Sequence, residues 1–242
     1  MKSSARLSSR FLVFAAASSS TRALLVLAFT AMLVACGGVN VKPAGSLPEA
    51  LVRKIDAKVG IVITTEMREF KHDETRAGVN WTAELGGAHA KYAQQLFSAS
   101  FREVEMFDTL EEAKSAAGLA AIFEPRIEQY SFATARDTGS NYYAVTIGYR
   151  LNVYAPSGEP VDSFTLSGYG SAPTGGMSGE RPLAAASFAA MRDAAAKFLV
   201  QFPDVAVAKV LSEGRELTPE ATAATLAATT RAMDVIEAVP IN

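Results

Sequence analysis

The sequence predicts an α+β fold: a two-layer sandwich of a mainly antiparallel sheet on two amphipathic helices, plus a C-terminal helical tail. Three observations carry this. Tyr143, Val145, Ile147, Tyr149, Leu151 and Val153 alternate with polar or small residues, and apolar positions at period two describe a strand with one buried face. A Pro156-Ser157-Gly158 turn then sends residues 161–169 back as an antiparallel partner. Residues 88–104 and 182–202 each carry an apolar stripe at helical spacing, which supplies the covering layer.

Taken in order, the first 35 residues read as a leader. Lys2, Arg6, Arg10 and Arg22 make it basic, and it has no acidic residue. Residues 23–35 are uncharged, and thirteen helical residues span about 20 Å, short of a hydrocarbon core of roughly 30 Å. That length fits the apolar region of a signal peptide rather than a membrane-spanning helix. The run ends Leu33-Val34-Ala35-Cys36, and Gly37-Gly38 follow; Cys36 is the one cysteine of the chain. These residues resemble the lipobox of bacterial lipoproteins. The resemblance implies cleavage between Ala35 and Cys36 by signal peptidase II, with palmitate-type acyl chains anchored through the Cys36 sulfur. Two or three chains together hold a protein stably at a bilayer, where one does so only marginally. Gly37, where inner-membrane lipoproteins tend to carry Asp, implies the periplasmic face of the outer membrane.

Residues 36–57, with Gly37, Gly38, Pro43, Gly45 and Pro48, read as a flexible tether. The folded domain is expected over 58–202. Residues 58–65 form a β-branched run suited to a buried strand, and 66–87 read as an irregular charged loop carrying Trp81, with an edge strand as the alternative within it. The helix at 88–104 shows Tyr92, Leu96 and Phe97 on one face, and a short strand is expected at 104–107. Thr109 or Asp108 caps a short helix that Gly118 ends. Residues 119–135 form a strand with Phe123, Ile127 and Tyr130 inward, and Asp137-Thr138-Gly139-Ser140 turns the chain into the alternating strand. A Gly-rich loop, 168–179, leads to the helix at 182–202 with Met191, Phe198 and Phe202 on its stripe. Beyond Pro203 the extension 203–242 is helical: one short helix to Ser212, then a second opened by Thr218-Pro219-Glu220 and bearing Leu226, Met233 and Ile236.

Composition narrows function. Without the leader, 19 basic residues face 25 acidic ones, a net charge of −6, which is poorly suited to a phosphate backbone, so nucleic acid is not an expected partner. With Cys36 lipidated no thiol remains for a disulfide. Catalytic material is sparse. His72-Asp73-Glu74 has the residue types of a metal or acid–base site, but adjacent side chains seldom converge on one ion. His89 opens a helix and reads as a surface or boundary residue. The 168–179 loop lacks the Gly-Lys-Ser/Thr ending of a phosphate loop. No catalytic, cofactor or metal residue is therefore assigned, and the chain is not expected to be an enzyme. Trp81, Tyr142, Tyr143, Tyr154 and Tyr169, near loops and strand ends, are candidates for a contact surface.

With the lipobox, the run 59–65, the strand pair 143–169 and the helix 182–202 together, the chain resembles the small α+β lipoproteins of Gram-negative outer membranes, a type that includes the lipopolysaccharide-assembly lipoprotein. The expectation is a non-enzymatic accessory or scaffold of the cell envelope, tethered to the bilayer through acylated Cys36. It would bind an envelope protein or lipid through a sheet edge, the aromatic loops or the C-terminal helix. The alternative is a lipid-binding or lipid-transfer module with an apolar groove between sheet and helices. An envelope hydrolase would need His72, Asp73 and Glu74 to cluster with another acid or with His89.

Overall fold

Burial alternates along the strand pair at the centre of the sequence, and the sheet is built outward from it. The computed structural model describes residues 38–49, 52–175, 179–225 and 227. The leader, Ala35 and Cys36 lie outside the described residues, as do Leu226, Met233 and Ile236. The strands are β1 (Val39–Val41), β2 (Ile55–Val62), β3 (Lys71–Arg76), β4 (Val79–Glu84), β5 (Phe101–Phe107), β6 (Ala121–Ala133), β7 (Tyr142–Tyr154) and β8 (Pro160–Pro173). The helices are α1 (Thr65–Arg68), α2 (Gly86–Ser100), α3 (Leu110–Ser115), α4 (Ala135–Thr138), α5 (Glu180–Gln201) and α6 (Ala206–Ser212).

A 5-stranded sheet runs β5-β2-β6-β7-β8 and a 3-stranded one runs β1-β4-β3. The α+β sandwich is as expected, but the larger sheet is mixed. β6, β7 and β8 pair antiparallel, whereas β2 is parallel to both β5 and β6. The reason lies in the connections: α2 leads into β5 and α3 follows it, and such helical crossovers return the chain in the same direction. As the central parallel strand, β2 is buried on both faces over Val59, Gly60, Ile61 and Val62.

One apolar core joins Ile61, Phe97, Phe101, Phe123, Ile147 and Phe198 between the sheet and α2/α5. Its aromatic centre is tight, with Phe198 and Phe202 stacked at 4.6 Å and Phe97 5.2 Å from Phe123. A smaller cluster of Val62, Ala113, Leu119 and Ile122 lies beneath α3.

Three expected segments differ. The tether is not free over 38–49: β1 adds to β4 in parallel, Val39 opposite Trp81, and Val41 is fully buried. Beyond it, Lys91 Nζ donates to the Gly45 carbonyl at 2.6 Å, and the Gln95 side chain accepts from the Leu47 amide at 3.1 Å. The reason is that β4 has a second edge, which the β-branched pair Val39 and Val41 fills. The segment 66–87 does hold an edge strand, β3, but the rest is not loop: α1 precedes it and a β3–β4 hairpin follows, turned by Ala77 and Gly78, both at positive φ. The extension after Pro203 is not an appendage: Val207, Val210, Leu211 and Leu217 are at most 1% exposed and belong to the main core.

Candidate functional site

The distinctive chemistry gathers at one end of the domain, where β1 begins. Gly38 lies against the Asn80 carbonyl, beside the β3–β4 turn. Parallel pairing of β1 with β4 puts Val39 next to Trp81, and the Trp81 ring packs on Phe132 at 5.4 Å and Tyr143 at 6.2 Å. Gly179, just before α5, fits where a Cβ would meet the Trp81 ring and the Tyr143 hydroxyl at 2.5 Å. The starts of β1, β4, β7 and α5 and the end of β8 therefore converge here. Trp81 is 7% exposed, and its Nε1–H has no partner among the described residues. Two exposed apolar side chains lie at this end: Val79 (38%), two residues before Trp81 on the same strand, and Tyr142 (52%), which strand alternation turns to the face of β7 opposite Tyr143.

Charges fix the rim. His72, Glu74 and Arg76 lie on the half-buried face of β3. The Arg76 guanidinium sits 4.7 Å over the Phe132 ring, donates to Glu74 Oε1 at 2.7 Å and reaches Asp137 Oδ2 at 2.9 Å. That links the hairpin to α4, where Thr134 and Asp137 form a reciprocal capping box. The Asp137 carboxyl is held down to about 2 by the Thr134 amide first, then by Arg76 and the Thr134 hydroxyl. Burial works to raise Glu74, but hydrogen bonds from Arg76 and His72 overcome it and hold that carboxyl below its ordinary value.

The sequence candidates separate accordingly. His72 lies 3.3 Å from Glu74 and 5.2 Å from the Tyr130 ring, whereas Asp73 faces the other way and accepts from Thr82 Oγ1 at 2.5 Å. Strand alternation thus splits the three neighbours between two faces. Among the described residues no group of three or more His, Cys, Asp or Glu could hold a metal. His89 corrects the expectation of a surface residue: it is 3% exposed, stacks on Tyr149 at 5.8 Å and places Nε2 2.9 Å from the Pro125 carbonyl. Burial pushes its pKa down to about 4 against that hydrogen bond, so the neutral ring donates to the carbonyl. Tyr154 donates to Glu124 at 2.9 Å and is pushed up to about 12 by burial and by that carboxylate.

The first half of the Gly-rich segment is strand, since β8 continues to Pro173. The outer edge of β8 is occupied. Tyr169 N–H donates to Asp193 Oδ2 at 2.9 Å, and Lys197 Nζ donates to the Ser167 carbonyl at 2.8 Å. Side chains of α5 thereby take the backbone groups that an incoming strand needs, so this stretch is protected against edge pairing. An apolar cavity of about 60 Å³ lies between α2 and α5, lined by Leu96, Leu166, Met191 and Phe198 with His89 and Tyr92, whose hydroxyl has no partner among the described residues.

Sequence reasoning found Trp81, Tyr142 and Tyr143 but not Val39, Val79 or Gly179. Val39 and Val41 alternate with Asn40, and Val79, Trp81 and Ala83 repeat at period two, which was the available signal.

No family model matches the chain, and no curated protein does. Its outline is similar to several solved structures. A candidate homologue of the neuraminyllactose-binding hemagglutinin from Helicobacter pylori is 10% identical over 70% of this chain and 97% of that one, with a TM-score of 0.45. A candidate lipoprotein of Caulobacter crescentus is 14% identical over 43% of this chain and 77% of that one, at 0.30. A lipoprotein of Neisseria meningitidis is 9% identical over 50% and 88%, at 0.29. At scores and identities this low, none of them assigns a function to this chain.

Proposed function

We propose that this chain is a lipid-anchored protein of the bacterial cell envelope that acts as a non-enzymatic accessory, on the periplasmic face of the outer membrane. The observation that carries the reading is the placement of Cys36. It closes a thirteen-residue uncharged run and stands two residues before Gly38, where the described domain begins. Lipidation at Cys36 therefore makes the domain a membrane-bound body rather than one on a long leash.

The non-catalytic part is supported by how the two histidines are used. His72 is committed to Glu74 and its aromatic neighbours, and His89 to Pro125 in the interior. The second reading is the lipid-binding module. The apolar pocket between α2 and α5 is only about 60 Å³, but a neighbouring groove of about 550 Å³, lined by Leu47, Leu96, Ala99, Ala195 and Leu199 with Glu49, Lys54 and Arg192, is within the roughly 300–1,000 Å³ that small organic ligands occupy.

The test is Cys36→Ser, expressed at native level and followed by membrane fractionation, density separation of the two membranes and mass analysis of the mature N-terminus. The expected outcome is an unprocessed or released protein that lacks an acyl mass, while the parent bands with the outer membrane. Unchanged fractionation and mass would sink the lipid-anchor reading.

A further inference from the structure

We infer that the end of the domain bearing Val79 and Tyr142 rests on the lipid surface, so that the bilayer itself is the occupant of this exposed apolar patch. The inference rests on Cys36 being the acylated residue. An extended chain covers at most about 3.6 Å per residue, so the lipid-bearing Cα lies within about 7 Å of Gly38. Gly38 in turn lies against Asn80, at the base of the β3–β4 turn. The Cys36 side chain and the glyceryl group on its sulfur add only a few bonds to that reach, so the acyl chains enter the bilayer close to this end of the domain. A domain docked by β1 to its own anchor point has little room to stand away from the headgroups.

The composition of this end suits that position. Of the large apolar side chains exposed among the described residues, Val79 and Tyr142 are at this end, at the starts of the two strands that carry Trp81 and Tyr143. Tyrosine and tryptophan favour the headgroup level, where the ring is dehydrated and the polar tip stays wet. Arg136 and Arg181 are also exposed here, with Glu180. Arg76 is shared between Asp137 at 2.9 Å and Glu74 at 2.7 Å, so Arg76, Arg136 and Arg181 stand against Glu74, Asp137 and Glu180. The acidic bulk of the domain is thus kept from dominating a face apposed to anionic lipid. The orientation follows: α5 begins at this end and, at 1.5 Å per residue, its 22 residues carry Val200 about 30 Å away.

The test uses the full lipidated protein in vesicles of phosphatidylethanolamine and phosphatidylglycerol. Because Cys36 is the one native cysteine and its sulfur carries the lipid, Val79→Cys, Tyr142→Cys and Val200→Cys each offer a single thiol for a nitroxide. All three positions are exposed, so each substitution should fold, as a thermal melt checks. The expected result is that collisions with a water-soluble nickel chelate fall by about threefold at 79 and 142 relative to 200, as for side chains at the headgroup boundary. Equal accessibility at all three positions in anchored protein overturns the orientation and leaves the anchor standing. Dipolar broadening between copies at 79 or 142 assigns the patch to self-association and also overturns it. Protein that fails to bind vesicles, with Cys36 unmodified by mass, removes the anchor and the orientation together.

Discussion

His89 is held with Nε2 2.9 Å from the Pro125 carbonyl in a site that water does not reach, so protonating the ring places an uncompensated charge there. Its pKa falls from the ordinary 6.5 to about 4 in the folded protein. Between those values the unfolded chain binds the proton and the folded one does not, so stability is present above pH 6.5 and is lost as pH falls toward 4. The loss between pH 7.5 and pH 5 should be about 2 kcal/mol. Urea unfolding of the parent and of His89→Gln across that range measures it: the variant, which can still donate to Pro125, should show the flatter profile. Parallel profiles would refute the assignment. The position was partly legible. His89, Ala93 and Phe97 share one helical face, and the polar residue type concealed a place that its spacing marked as interior.

At the scale of elements, β8 and α5 meet backbone to backbone, and two glycines make that approach possible. A Cβ on Gly168 would sit 2.0 Å from the Ala190 carbonyl oxygen, and one on Gly170 would sit 2.1 Å from that of Ala186. The small Ala186 and Ala190 on the facing side of the helix complete the fit, and Asp193 and Lys197 then reach the strand edge. Gly170→Ala should cost about 3 kcal/mol or more, because the clash is with helix backbone and has no rotamer to relieve it. Ser171→Ala, on the exposed face, should stay within about 0.5 kcal/mol of the parent. Chemical denaturation of both variants decides the matter, and similar midpoints would mean the helix can move away. The glycines suggested a loop to sequence reasoning because a strand glycine and a loop glycine look alike without the partner helix. The alternation that fixed β7 and the stripes of α2 and α5 were readable because one side of each is apolar. β3 was not, since its buried positions are His72, Glu74 and Arg76, which satisfy one another through charge. β1 was hidden by neighbouring glycines and a proline, and by pairing with residues some forty positions away.

For the whole molecule, the boundary placed at Pro203 is the one the structure moves farthest. The chain after it returns across the domain: α6 packs toward β2, and the Leu217 amide donates to the Ala120 carbonyl at 2.9 Å. Thr218 then caps a further helical turn, accepting from the Ala221 amide at 3.1 Å. Val207, Val210, Leu211 and Leu217 are all at most 1% exposed. Full burial of such side chains is worth roughly 1.5–3 kcal/mol each, an upper estimate when read from folded burial alone. Together they rival the whole net stability of an ordinary domain, about 5–15 kcal/mol. Ending the chain after Pro203 should therefore abolish cooperative unfolding rather than merely detach a docking helix. Leu217→Ala gives the graded version, a loss of about 2–4 kcal/mol in urea titration. A truncated chain that still melts cooperatively near the parent temperature would restore the extension to the role of an appendage, available to an envelope partner. If it does not, partner recognition must be sought on surfaces of one continuous body, the segment after Pro203 included.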